Sequence, residues 1–248
     1  MKLTLEIWRQ ADAASPGRFV TYDVDDLDEG MSVPEMFDRL NEHLIEKGED
    51  PVAYESDCRE AICGACGVVI DGHPHGPSPH LTTCMQRLRQ FTDGQRLRIE
   101  PLRSGAFPVV KDLLVDRTAL DRVIAAGGTV AVEAGSAPDA ESQLVDHATV
   151  ETALDYAICI GCGACVAACP NGAANLFTGA KLMHLSLLPI PSVERTRRAE
   201  HMVAAMEDEF GACSLYGECE AACPQEIKLA AVAALQHERL GAFLHRRL

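Results

Sequence analysis

The chain has 248 residues, of which 24% are charged, and this length allows one large domain or two of ordinary size. Its net charge of −15 argues against nucleic acid as a partner, because the phosphates would be repelled. The eleven cysteines are odd in number and fall into groups, which favours metal ligation in a reducing cytoplasm over a disulfide framework. The first residues lack the pattern of a signal peptide, so we expect none.

The first hundred residues have the pattern of a small sheet with one helix. Alternating apolar residues, turn signals and a capping box at Ser32 and Glu35 define the elements. We expect strands over residues 3–7, 19–24, 67–70 and 96–100, and a helix over residues 32–47. Asp71 and Gly72 form a hairpin turn signal after the third strand. This order predicts a ubiquitin-like, β-grasp sheet.

Four cysteines of this region have the spacing of a metal-cluster site. Four residues separate the first pair and two the second, and the last cysteine is distant: Cys58, Cys63, Cys66 and Cys84. This is the plant-type ligand pattern for a 2Fe–2S cluster, and a structural zinc site is the alternative. The loop before Cys84 also holds His73, His75 and His80, which could form a metal site. Because four cysteines are already available, we expect an exposed polar loop instead.

Beyond residue 105 the pattern becomes helical, so the chain is divided into domains over residues 1–105 and 106–248. We expect helices over residues 112–126, 192–209 and 225–240, a surface excursion over 129–150 and an apolar connection over 185–191. The three arginines of the middle helix, Arg195, Arg197 and Arg198, indicate either a solvated face or a docking patch. The predicted fold class is α+β, with an all-α second domain.

A second cysteine run lies in a stretch without charges, residues 156–180. Its members are separated by two, two and three residues and followed by Pro170: Cys159, Cys162, Cys165 and Cys169. This is the ligand run of a bacterial two-cluster ferredoxin, in which the fourth thiolate reaches the other cluster. Four thiolates packed so closely along one segment cannot readily close a single tetrahedral zinc site. Cysteines, proline and glycines also argue against a transmembrane helix here.

The last cysteines repeat that spacing with one change, because Tyr216 stands where the second cysteine would be. In two-cluster ferredoxins, the last cysteine of each run binds the cluster of the other run. Cys223 therefore completes a 4Fe–4S cluster with Cys159, Cys162 and Cys165. Cys169 then joins Cys213 and Cys219, and three thiolates predict a 3Fe–4S cluster. The phenol of Tyr216 is a possible iron ligand, but it is harder than thiolate and bulky, so we favour a vacant corner.

This arrangement resembles the iron–sulfur subunit of succinate dehydrogenase and fumarate reductase, as does the segment Phe107-Pro-Val-Val-Lys-Asp-Leu. The resemblance implies electron transfer from the FAD of a flavoprotein subunit through the three clusters to quinone in a cytochrome b-type membrane anchor. It also implies a peripheral position on the cytoplasmic face of the inner (plasma) membrane. No substrate chemistry is expected on this chain.

Two departures bear on the quinone. Family members often carry a tryptophan after the proline of the central run, whereas the single tryptophan here is Trp8, and Ser214 stands where they place a histidine. The chain is similar in this to the menaquinone-linked bacterial branch. The candidate quinone contacts flank the predicted three-iron ligands: Pro170, Asn171, Phe177 and Ser214.

Two other readings stay open at this point. The same clusters could serve a different catalytic partner, as in thiol-linked fumarate reductases or quinone-linked oxidases. A zinc-stapled interaction module that transfers no electrons is the alternative from a different class.

Overall fold

The structure, a computed structural model, describes residues 1–131, 139 and 141–245. The first part is a five-stranded sheet with one helix against it. Its elements are β1 (Leu3–Arg9), β2 (Arg18–Val24), α1 (Val33–Glu46), β3 (Val68–Ile70), β4 (His73–Pro74) and β5 (Arg96–Pro101). The strand order is β2-β1-β5-β3-β4, with β1 parallel to β5 and antiparallel to β2. The predicted strands and helix are confirmed in position.

Local sequence explains the start of α1 and the hairpin. The Ser32 hydroxyl accepts a hydrogen bond from Glu35 N, and Ser32 N donates to Glu35 Oε2, as a capping box requires. Asp71 and Gly72 have φ values of 49° and 81° and join β3 to β4. The buried face of α1 is formed by Met36, Phe37, Leu40 and Leu44, and Ile45 next to it is 63% exposed.

The segment after residue 105 differs from its prediction. Two short strands, β6 (Val109–Lys111) and β7 (Leu114–Val115), precede α2 (Thr118–Val123), which continues as a π-helical turn over Ile124–Gly128. The expectation of a helix from residue 112 is therefore wrong for its first six residues, and residues 106–248 are not wholly helical. Asp112 accepts hydrogen bonds from Arg9, Gln10 and Ala53, which holds this hairpin against the sheet. Leu113 is buried in the core of that sheet.

The remainder is a bundle of helices around a second core. They are α3 (His147–Ala157), α4 (Ala164–Ala168), α5 (Asn175–Ser186), α6 (Ser192–Glu209), α7 (Glu218–Ala221) and α8 (Ala230–His245). The central helix α5 packs against α3, α6 and α8 and is buried on nearly every side. The α6 bounds agree with the prediction, and α8 begins five residues later than predicted. The helices α3, α4, α5 and α7 were not predicted. Within the described ranges, no helix is both long and apolar enough to cross a bilayer.

The predicted excursion over residues 129–150 lies partly outside the described residues, and its end forms the first turn of α3. Arg198 is not on a solvated face. Its side chain is 3% exposed, its Nε donates to Glu194 Oε1 at 2.8 Å and its Nη1 donates to Gly127 O at 2.6 Å. That arginine therefore ties α6 to the turn after α2.

Candidate metal centres

The loop before β3 turns back on itself around Cys58. Arg59 and Ala61 have φ values of 57° and 59°, and this geometry points successive backbone N–H groups inward. The Cys58 Sγ accepts hydrogen bonds from Glu60 N, Ile62 N and Cys63 N at 3.3, 3.4 and 3.3 Å. These backbone donors lower the pKa of Cys58, because they stabilise the thiolate that a metal would bind.

The other cysteines of this set lie beside that loop. Cys84 lies in a short 3₁₀ turn, Thr83–Met85, and its Sγ is 3.1 Å from the Thr82 hydroxyl. A hydrogen bond between Cys66 and Cys84 raises the pKa of Cys66 and lowers the pKa of Cys84. The charge of Cys63 also acts on Cys66, and Cys63 hydrogen-bonds Cys58. The structure therefore brings the four cysteines of the first set together.

A second set of four thiols lines one small apolar cavity. The set consists of Cys159, Cys162, Cys165 and Cys223. Three come from the loop before α4 and from α4 itself, and Cys223 is brought in by the loop after α7. The buried side chains of Leu176, Phe177 and Ile227 form the apolar wall. Burial raises the pKa of Cys162 to about 12 and that of Cys165 well above its ordinary value.

The remaining three thiols line a separate small cavity. They are Cys169, Cys213 and Cys219, and Tyr216 borders the same cavity. Burial, and then the neighbouring thiols of Cys169 and Cys213, raise the pKa of Cys219. Tyr216 is nonetheless 61% exposed to solvent.

The backbone of the two cysteine runs meets closely beside this cavity. A Cβ added at Gly211 would lie 1.8 Å from Asn171 O, so a larger residue could not stand there. The Asn171 amide donates to Ala212 O and to Ser214 Oγ, each at 2.8 Å. Asn171 and Gly211 therefore hold the segment after Cys169 against the segment before Cys213.

The donor sets suit iron–sulfur clusters. All eleven cysteines lie in the described part of the chain and are free thiols, divided into sets of four, four and three. Two sets line mostly apolar cavities, and an apolar surrounding helps to tune such clusters. Among the described residues, no three His, Cys, Asp or Glu side chains form a group suited to one metal ion. Cluster ligands bind different iron atoms, so they need not converge on one point.

The four predicted quinone contacts differ in their exposure and in the cavity beside which they lie. Pro170, Asn171 and Ser214 are exposed, and Ser214 lines the three-thiol cavity. Phe177 is not beside that cavity, because α5 turns its ring into the wall of the four-thiol cavity, where it is 2% exposed. The prediction of a quinone-side role for Phe177 is therefore not supported by its position.

The histidine loop also differs from the prediction. His73 and His80 are exposed as expected, but His75 is 1% exposed. Its Nδ1 accepts a hydrogen bond from Thr83 N at 3.3 Å and lies 3.1 Å from Thr83 Oγ1. Burial lowers the pKa of His75 to about 4, so the ring is neutral at pH 7. His75 supports the turn that carries Cys84.

Two cations that sequence reasoning did not assign to these sites touch the cysteine loops. Arg117 Nη1 donates to Gly64 O at 2.7 Å and to Cys162 O at 3.3 Å. Lys181 Nζ donates to Cys159 O at 2.6 Å. Lys181 is the single Lys or Arg of the mostly buried α5, and sequence reasoning offered it for proton delivery or an anchor contact rather than for this loop. No sequence signal indicated Arg117, because its partners are 45 and 53 residues away along the chain.

Fold and thiol sets together define an iron–sulfur electron-transfer protein. Residues 4–122 match the family described as "2Fe-2S iron-sulfur cluster binding domain". Residues 158–227 match the family described as "4Fe-4S dicluster domain". The chain thus has an N-terminal 2Fe–2S domain followed by a dicluster domain.

Relatives extend this assignment over most of the chain. The succinate dehydrogenase iron–sulfur subunit of Bacillus subtilis is 30% identical over 206 residues, which cover 79% of this chain and 77% of the relative. The fumarate reductase iron–sulfur subunit of Mycobacterium tuberculosis is 27% identical over 248 residues, which cover 98% of this chain and 94% of the relative. This chain belongs to the family of succinate dehydrogenase and fumarate reductase iron–sulfur subunits.

A solved structure shares the fold. It is a chain of the "Mycobacterium smegmatis Sdh1 complex in the apo form", with a TM-score of 0.72 and 21% identity. The match covers 100% of this chain and 98% of the other. The arrangement of sheet and helices described above is therefore found in an experimentally determined protein.

Proposed function

We propose that this chain carries electrons from the FAD of a flavoprotein subunit to quinone in a membrane anchor. The observation that carries the proposal is the division of the eleven thiols into sets of four, four and three, in a member of this family. When bound, iron–sulfur clusters accept and release single electrons at potentials set by their surroundings. The oxidoreductase chemistry on succinate or fumarate belongs to the flavoprotein.

The proposed ligands follow the three sets. Cys58, Cys63, Cys66 and Cys84 hold a 2Fe–2S cluster on a β-grasp, plant-type ferredoxin domain over residues 1–105. Cys159, Cys162, Cys165 and Cys223 hold a 4Fe–4S cluster, and Cys169, Cys213 and Cys219 hold a 3Fe–4S cluster. Both belong to a bacterial dicluster domain over residues 106–248. The exposed ring of Tyr216 supports a three-thiolate site rather than a fourth ligand.

Other residues prepare these sites. Backbone N–H groups directed at Cys58 stabilise its thiolate before and after metal binding. Leu176, Phe177 and Ile227 keep water away from the second set. A low-dielectric wall of this kind strengthens the influence of nearby charges on a reduction potential.

We further propose the orientation of the chain in its complex. The first domain faces the flavoprotein, and the dicluster domain faces a cytochrome b-type anchor on the cytoplasmic face of the inner (plasma) membrane. Pro170, Asn171 and Ser214 form an exposed rim beside the three-thiol cavity, which suits contact with the anchor and with the quinone ring. Ser214 in place of the family's histidine supports menaquinone as the electron acceptor.

The partner is tested by isolating the tagged chain from detergent-solubilised membranes of its native host. We expect it to carry a flavoprotein with bound FAD and a membrane-embedded subunit, and the mixture to reduce a menaquinone analogue with succinate. If a different catalytic subunit is recovered, succinate is not the electron donor of the complex, and this part of the proposal is wrong. Recovery of the iron-loaded chain alone from intact membranes would contradict it.

A further inference from the structure

The loop of the first thiol set, residues 58–66, lies directly against the run of the second set, residues 159–165. Contact is closest at Gly64, whose φ is +72°. A Cβ added there would lie 2.5 Å from Ile160 O and 3.1 Å from Cys162 N. The two backbones therefore touch without an intervening side chain, in a conformation that glycine adopts without strain.

Arg117 spans this junction from the residue before α2. Its Nη1 donates both to Gly64 O in the first loop and to Cys162 O in the second run, at 2.7 and 3.3 Å. Its Nη2 pairs with Glu55 Oε2 at 3.0 Å, and the arginine side chain is 19% exposed. A planar guanidinium can satisfy acceptors on two segments at once, whereas an ammonium offers a point charge without fixed direction.

A neutral contact joins the same two regions. Gln225 follows Cys223-Pro224 of the second set, and its Nε2 donates to Ala61 O of the first loop at 3.3 Å. The first loop is thus held at Ala61 and at Gly64 by residues that lie next to the second set or contact it. Only the Gly64 contact carries a charge.

Lys181 is a second cationic side chain at this junction. Arg117 and Lys181 border one cleft between the two loops, with Asp121 as the acidic side chain on its wall. Each cation donates to the carbonyl of a second-set cysteine, Arg117 to Cys162 and Lys181 to Cys159. Cations beside an iron–sulfur site favour its reduced, more negative state and therefore raise its reduction potential.

We propose that Arg117 is a positioning residue that docks the 2Fe–2S loop on the 4Fe–4S run and raises the reduction potentials of both sites. The inference rests on the proposed function only in that both loops carry clusters. With clusters bound, the Gly64 contact would offer a short path for one electron between the two sites, a transfer that forms and breaks no bond and requires no proton. Arg117 keeps the two loops in contact, and its positive charge stabilises the added electron.

Four variants of the full chain separate docking from charge. Arg117→Met removes both, Arg117→Lys keeps the charge without the fork, and Gln225→Leu removes only the neutral contact. Arg122→Met is the matched control, because Arg122 is 54% exposed and pairs with Glu209 away from the loops. Two quantities are measured: midpoint potentials of the loaded chain by spectroscopic redox titration, and amide hydrogen exchange of residues 58–66 and 159–165 in the cluster-free chain.

For Arg117→Met we expect faster exchange in both segments and lower potentials at both sites. A charge that is 19% exposed should change each reduction equilibrium about threefold, which is roughly 28 mV for a one-electron couple. Arg117→Lys should speed exchange but hold the potentials near wild type. Gln225→Leu should speed exchange in residues 58–66 alone, and Arg122→Met should change neither quantity.

Equal behaviour of Arg117→Met and Arg122→Met in both measurements would overturn the inference. Faster exchange with unchanged potentials would retain the docking role and overturn the electrostatic one. A wild-type chain that cannot be loaded with clusters would instead contradict the proposed function. The exchange experiment would still decide the docking role in that case.

Discussion

At the scale of single residues, Tyr216 sets the composition of the three-thiol site. It occupies the position of the missing cysteine and borders the cavity, yet the residue is 61% exposed, which favours a site of three thiolates. Tyr216→Cys should supply a fourth thiolate and permit a second 4Fe–4S cluster. We expect the oxidised wild type to show the near-isotropic paramagnetic signal of a 3Fe–4S cluster, and the variant to lose it and reduce quinone more slowly.

Tyr216→Phe is the control for this substitution, because it removes the phenol oxygen and keeps the ring. If the signal survives in the Phe variant, the oxygen is not a ligand. Loss of the signal in Tyr216→Phe, or its absence in the wild type, would contradict a three-thiolate site.

Ser214 tests the quinone side of the same cavity. A leucine there would enlarge the exposed rim and remove the hydroxyl that accepts a hydrogen bond from Asn171. We expect Ser214→Leu in the assembled complex to lower quinone reduction about tenfold while dye-linked succinate oxidation is kept, since a misplaced reactant costs at least that much. Ser142→Leu, another exposed serine, is the control. Equal loss in both assays would indicate a structural role for Ser214.

His75 gives the first domain a pH dependence. Its pKa is about 4 in the folded chain because burial disfavours the charged ring, against an ordinary value of 6.5. Since the folded-state pKa is the lower one, the unfolded chain binds the extra proton first. Stability from this group is therefore present above pH 6.5 and is lost as the pH falls towards 4.

His75→Gln should reduce that loss in the cluster-free chain, measured as the free energy of unfolding by denaturant titration between pH 7 and pH 4.5. His73→Gln, at an exposed position, should follow the wild-type curve. Parallel curves for all three proteins would show that burial of His75 does not control this dependence.

At the scale of elements, sequence patterns predicted the helices and turns whose position depends on neighbouring residues. The capping box of α1, the Asp71-Gly72 turn and the alternation in β1 and β5 act within a few residues, and each element forms where expected. Helix α5 was missed because it is buried on nearly every side and so has no polar face to mark a period. The start of α2 was misplaced because Asp112 is held by Arg9, Gln10 and Ala53, partners far away in sequence.

The close crossing of α5 and α8 yields a test of element packing. A Cβ added at Gly179 would lie 2.3 Å from Ala231 O, so the helices cannot stay where they are. Gly179→Ala should lower the free energy of unfolding by about 1–3 kcal/mol through overpacking. The control is Gly241→Ala in α8, where nothing lies within 4 Å of the added atom. The better helix propensity of alanine should raise stability there by up to about 1 kcal/mol, and equal effects at both positions would contradict the close crossing.

At the scale of the whole molecule, the grouping of the thiols was accessible from sequence and their surroundings were not. Spacing alone predicted that Cys223 joins the first run and Cys169 the last, and the two cavities bring together those same sets. The ligand roles themselves remain a proposal. Burial of His75, the inward turn of Phe177 and the reach of Arg117 depend on how distant segments pack, which no local pattern records.

An inventory of metal and cluster type decides whether this chain holds three different iron–sulfur clusters. The full chain, prepared anaerobically, is analysed for iron, sulfide and zinc and then by Mössbauer and paramagnetic resonance spectroscopy. We expect about nine irons per chain, divided among 2Fe–2S, 4Fe–4S and 3Fe–4S signals. Stoichiometric zinc, with no visible charge-transfer absorbance, would contradict it.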